Sequence, residues 1–298
     1  MLKHISGISI IGAINSESSR NTKNLGRIRP VRTPEGQPKF CAGRKGLLLD
    51  VVINNNHCAL KCYSEPAKRT AEVCEYVCNI GSDRLPRPTF YPQELAVPVQ
   101  GGVEWADVSL YPWVEGRTLD FEIRRHAHNG NAEMLDRLAT EFASLALDIL
   151  NSPWRHGDLK PENIIVGPDG RMVLVDLDAL WAESLPEGEE VGTPEFVHPL
   201  RGAAYDSHID DYSIALIATN LCALALHPDL PLQPLASNGL LFTPTEAIEG
   251  GEVFGRVAHL LASEVPTVEP LCAALADPHS PCIANLKDML TPLCTAHI

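Results

Sequence analysis

The sequence predicts an α+β fold in two unequal lobes: a small strand-rich N-terminal part and a larger helix-rich C-terminal part. Three observations predict it. Short apolar runs separated by turn residues crowd residues 39–114, while apolar stripes of helical period dominate the chain after Gly116. Between the two lies Tyr111-Pro112-Trp113-Val114-Glu115-Gly116, a Pro- and Gly-bearing connector. With 298 residues the chain is long enough to bury a substantial core in such an arrangement.

Taken in order, residues 1–35 are rich in Ser, Asn, Arg and Pro, a composition that predicts a flexible, poorly packed N-terminal arm. Ile5 to Ile14 is apolar, yet it is short, broken by Ser and Gly, and lacks a convincing cleavage site, so no signal peptide is expected. The basic run Arg20, Lys23, Arg27, Arg29 and Arg32 reads as part of a solvated arm. The first lobe is expected over 36–114. In it, Gly46 to Ile53 and His57 to Tyr63 flank Asn54-Asn55-Asn56, a hairpin signal. Val73, Val77 and Ile80 predict a short helix over Lys68 to Ile80. Gly81 to Pro92 reads as Pro-rich loop, followed by strands over Leu95 to Val99 and Val103 to Val114.

The second lobe is expected over 115–298. Asn131 to Leu150 carries apolar residues at 134, 135, 138, 142, 145, 146, 149 and 150, the stripe of an amphipathic helix. Ile164 to Val166 and Met172 to Val175 read as short strands around the turn Gly167-Pro168-Asp169-Gly170. Ile214 to Leu226 is too short to span a bilayer and reads as a buried core helix.

The net charge of −14 argues against a nucleic-acid partner, since so acidic a surface repels a phosphate backbone. Nine cysteines follow no metal-binding spacing and are expected as small buried thiols in a reducing compartment. A cytoplasmic protein without a membrane span is expected.

The most specific string is His156-Gly157-Asp158-Leu159-Lys160-Pro161-Glu162-Asn163, placed after the long helix and before the short strand pair, which ends in Val175-Asp176-Leu177-Asp178. Phosphoryl transfer asks a protein mainly for positioning and charge neutralisation. A carboxylate, an ammonium two residues on and an amide five residues on would orient a hydroxyl, balance a γ-phosphate and help hold a metal; Asp176 would complete an oxygen-rich magnesium site.

These residues resemble the eukaryotic-type protein kinase superfamily, as a divergent, bacterial-style member of Ser/Thr kinase type. The resemblance covers roughly Phe40 to Leu290 and implies a bilobal kinase-like fold using ATP and Mg2+. It implies Asp158 as the acceptor-orienting base, Lys160 near the γ-phosphate, and Asn163 and Asp176 as metal ligands. Lys61, closing Ala59-Leu60-Lys61, is similar to the phosphate-anchoring lysine, with Glu75 (or Glu72) as its helical partner. Gly43 and Gly46 fall where a glycine-rich phosphate loop would be, with Leu48 covering adenine and Val114 offering backbone groups to it. Thr193, in Gly192-Thr193-Pro194-Glu195, resembles the threonine that bonds the catalytic Asp and Lys, which favours Ser/Thr in a protein substrate. Asp210 resembles the aspartate that holds the catalytic-loop backbone.

The pattern also breaks. Gly157 replaces the arginine that commonly receives an activating phosphate, which predicts activity without that switch. Asp178 replaces the glycine of D-F-G, and Leu200 replaces the glutamate of A-P-E, while Asp277-Pro278-His279-Ser280-Pro281 lacks that glutamate's arginine partner. Two rival readings are a catalytically dead scaffold of the same fold, and a small-molecule kinase of the aminoglycoside or choline type, whose loop also reads H-G-D.

Overall fold

The computed structural model describes residues 5–16, 21–188, 192–234 and 240–294. The fold is mixed α+β, and the chain divides into two units, Met1–Val114 and Glu115–Ile298.

The first unit is built on one antiparallel sheet. Its strands are β1 (Arg29–Pro30), β2 (Phe40–Ala42), β3 (Gly46–Ile53), β4 (Asn56–Tyr63), β5 (Thr89–Val99) and β6 (Gly102–Pro112), in the order β1-β3-β4-β6-β5 with β2 also on β3. The β3–β4 hairpin forms where Asn54 and Asn55 take φ of 50° and 63°, left-handed positions that asparagine tolerates better than most residues. Period-two alternation then sends Leu47, Leu49, Val51 and Ile53 of β3 and Cys58, Leu60 and Cys62 of β4 to one buried face. Between β4 and β5 stands α2 (Lys68–Ile80), with Val73, Cys74 and Val77 buried. It lies over the other face, where Cys74 Sγ is 3.7 Å from Ser109 Oγ.

The N-terminal arm expected over 1–35 is a correction. Helix α1 (Gly7–Asn15), capped by Ser6, buries Ile10, Ala13 and Ile14 in the sheet's core, joined there by Leu25 and Ile28. Glu94 Oε1 accepts from the backbone N–H groups of Lys23 (3.0 Å), Asn24 (2.6 Å) and Leu25 (2.8 Å), and Oε2 accepts from Asn24 Nδ2. The apolar run from Ile5 to Ile14 was visible but read as too short to matter, and the composition gave no sign of a carboxylate waiting on β5. Of the basic run, Arg20 lies outside the described residues. The loop expected to reach Pro92 is a second correction: β5 already starts at Thr89 and absorbs Pro92 in a bulge between Tyr91 and Leu95, with Gln93 at φ 47°. Pro92 has no N–H to give a ladder, and the bulge removes the need for one.

The second unit is mainly helical. After β7 (Arg117–Thr118) come α3 (Leu119–His128) and α4 (Ala132–Asn151), each N-capped by a side chain, Thr118 and Asn131. The expected apolar stripe of α4 is buried along Leu135, Leu138, Phe142, Leu145 and Ile149. Strand β8 (Trp154–Arg155) precedes β9 (Ile164–Val166) and β10 (Met172–Leu174), and β11 (Trp181–Ala182) pairs back on β8. Helix α5 (Asp211–Leu226) is buried from Asp211 to Ala225, as its apolar run predicts, and α6 (Pro244–Glu249), α7 (Glu252–Glu264), α8 (Glu269–Leu275) and α9 (Leu286–Leu290) complete the unit. Among the described residues no helix is long and apolar enough to cross a membrane. Of the nine cysteines five are buried as expected, whereas Cys41, Cys78 and Cys282 are exposed and Cys294 is partly so.

Candidate active site

Helix α4 ends at Asn151, and β8 delivers the chain into the loop His156–Lys160. The loop is held from below by Asp210, at the start of α5 and fully buried, whose Oδ2 accepts from His156 N and Oδ1 from Gly157 N at 2.9 Å. Burial pushes the Asp210 carboxyl above the usual carboxylate range, while the Gly157 and His156 backbone N–H groups pull the other way. His156 is also fully buried. Its Nδ1 accepts from Asp158 N at 3.3 Å, so Nε2 carries the proton and donates to Val175 O at 2.9 Å. One imidazole thereby ties the loop to the end of the following strand.

Four predicted residues meet above this support. Thr193 Oγ1 donates to Asp158 Oδ1 at 2.7 Å and accepts from Lys160 Nζ at 2.9 Å. Lys160 Nζ lies 3.0 Å from Asp158 Oδ2, and Asn163 Nδ2 donates to Asp158 O at 2.9 Å and to Oδ2 at 3.2 Å. A single turn of 3-10 helix over Pro161–Asn163 brings Asn163 back to the loop's start. Val175 N donates to Asn163 O at 2.9 Å, extending the β9–β10 register by one pair, and Asp176 is the next residue along the chain. Asp176 holds φ 61°, a left-handed position that costs a non-glycine residue about 1 kcal/mol or more and is typical of functional sites. Leu177 and Asp178, next in line, are buried.

Glu162 projects from the same turn. Burial raises its carboxyl pKa, Asp120 adds to the effect, and Oε2 is buried with no hydrogen-bond partner among the described residues.

The remaining predicted residues lie in the first unit. Lys61 of β4 is registered opposite Leu48 of β3 and Ser109 of β6, and Ala59 opposite Asp50 and Tyr111, so all of these share one face of the sheet. Leu48 is 40% exposed there. Glu72 and Glu75 lie on the exposed side of α2. Gly43 and Gly46 bracket the β2–β3 turn through Gly43 N to Gly46 O at 2.9 Å. Gly46 has a steric reason to be glycine, since a Cβ there would lie 2.0 Å from Cys62 O, whereas Gly43 has room. Val114 follows Trp113, which donates its N–H to His57 O at 3.3 Å and stacks on the His57 ring.

The sequence did not show why residue 157 is glycine. Gly157 has φ 84°, and a Cβ on it would lie 1.9 Å from Ala179 O. No side chain fits. The bonds around Leu200 were not foreseen either. His198 Nε2 donates to Asp277 O at 2.9 Å, and the buried Arg201 pairs with Asp206 at 2.8 Å and donates to the carbonyls of Ala204 and His208. Leu200 itself is 61% exposed. Tyr205 was also missed, having no motif around it; its Oη donates to Ala179 O and Leu180 O, each at 2.9 Å.

Among the described residues no group of three or more His, Cys, Asp or Glu side chains is gathered to hold a metal. No family model matches the chain, and no curated protein matches it.

Proposed function

We propose that this chain is an ATP- and magnesium-dependent phosphotransferase of protein kinase type, acting on Ser/Thr hydroxyls of a protein substrate. One observation carries the reading: the Asp158 carboxylate is bonded at once by Thr193 Oγ1, Lys160 Nζ and Asn163 Nδ2, from three separate points of the chain. A carboxylate fixed this way can orient an incoming hydroxyl and accept its proton. Lys160 supplies positive charge where a transferred phosphoryl group would need it, and Lys61 of β4 is the ammonium assigned to the nucleotide phosphates. Leu48, Ala59 and Val114 are assigned to adenine.

Magnesium fits the donor set. Asn163 spends Nδ2 on Asp158, so Oδ1 would be its ligand atom, and Asp176, which follows Val175, would supply a second hard oxygen donor. When bound, the ion would neutralise phosphate charge. Thr193 favours a protein acceptor over a small molecule, because it joins the peptide following Gly192 to the proton acceptor itself.

The test is transfer of γ-phosphate from ATP with Mg2+, read by mass spectrometry on the chain and on added Ser/Thr peptides, with Asp158→Asn as control. The expected result is transfer to Ser/Thr that falls at least about 10³-fold in the variant. Magnesium-dependent ATP binding with no transfer would leave the scaffold reading; transfer to an aminoglycoside or choline alone would replace the protein substrate.

A further inference from the structure

We propose that Tyr205 is a positioning residue: it holds residues 177–188 in one shape against Gly157, keeping Thr193 on Asp158 and Lys160 without covalent modification. Its consequence for catalysis rests on the function proposed above; the hold itself does not.

Tyr205 touches the stretch at two places. Its hydroxyl hydrogen is shared between Ala179 O and Leu180 O, just after Asp176. Its ring packs on Gly188, where a Cβ would lie 2.7 Å from the ring Cζ. One side chain therefore grips both ends of the exposed loop over 183–188. The same Ala179 carbonyl rests on Gly157 of the catalytic loop, in the space a side chain at 157 would fill. Gly157 O in turn faces Gly192, 3.4 Å from where a Cβ at 192 would be, one residue before Thr193. Strand β11 has only two residues paired to β8, too few to fix the stretch alone. The contacts thus run from Tyr205 to Ala179, Gly157 and Gly192.

A phosphate received by an arginine could hold such a stretch from outside, but residue 157 offers no room for one. The stretch also contains no Lys or Arg between Arg171 and Arg201, so no cation of its own can clamp it. A neutral hydroxyl does the work instead, and it is present whenever the chain is folded.

The full chain is compared with Tyr205→Phe, which removes the donor and keeps the ring, and with Gly188→Ala, which pushes on the ring; far-UV circular dichroism verifies folding. Three readouts are taken: cleavage after Glu183 and Glu187 by a glutamyl-specific protease, Trp181 emission by difference from Trp181→Phe, and the split of kcat from the KM for ATP. Expected in both variants are cleavage at least about fivefold faster, a red-shifted Trp181, and kcat lowered about tenfold with KM within about twofold. Unchanged cleavage and emission in folded variants overturn the proposal, and so does a change in both with kcat intact. If the wild-type chain transfers no phosphate, the function proposed above fails, while cleavage and emission still decide whether Tyr205 holds the stretch.

Discussion

The hydroxyl of Thr193 donates to Oδ1 of Asp158 at 2.7 Å while accepting from Lys160 Nζ at 2.9 Å, joining two residues 35 positions apart in the chain. A hydroxyl between a carboxylate and an ammonium fixes both charges relative to each other. Thr193→Ala removes that bridge. Phosphate transfer should fall about 10- to 100-fold through kcat, the range for a lost bond to a charged group, and Thr193→Ser should restore most of it. Steady-state kinetics on the three chains makes the comparison.

Asp210 accepts from two buried backbone N–H groups, and Asp210→Ala strands both. The loss should be about 3 kcal/mol of unfolding free energy, read from urea denaturation. A midpoint equal to wild type would show that water replaces the carboxylate.

Gly157→Arg is expected to unfold the loop, not to create a phosphate switch, because its Cβ alone would meet Ala179 O at 1.9 Å and φ is 84°. A destabilisation of about 2–4 kcal/mol should accompany loss of transfer, whatever the phosphorylation state of the chain. Recovery of activity on phosphorylating the variant would refute this.

Glu162 has a raised pKa in the fold, so its ionised form is penalised there relative to the unfolded chain. The penalty is present at neutral pH and fades as pH falls through the raised folded value toward the ordinary glutamate value of 4.5. Glu162→Gln should therefore melt roughly 1–2 °C higher than wild type at pH 7, a small gain because part of the carboxyl meets solvent. Below about pH 4 the two chains should melt together. Calorimetry across that range tests the sign.

Much of this was legible in the chain. The β3–β4 hairpin, α2, α4 and α5 follow from apolar periodicity interrupted by Asn54-Asn55, Gly81 and Ser152, and local rules suffice for them. The meeting of Asp158, Lys160, Asn163 and Thr193 was foreseen only through a resemblance, since spacing does not say which loop returns to which. What stayed hidden depends on contacts between distant segments. That Gly157 sits with a left-handed backbone against Ala179 could not be read from either residue. Nothing in the sequence set Glu94 apart, and the apolar run from Ile5 to Ile14 did not say which surface it would pack on.

The clasp at Glu94 bears on how this protein can be shortened. A chain begun at Phe40 would lose α1 and the amides that Glu94 receives, uncovering Leu47, Leu49, Val51 and Leu60 together. That bared sheet would be a greasy, self-adhesive surface, and such a fragment would be recovered as aggregate whether or not its chemistry survived.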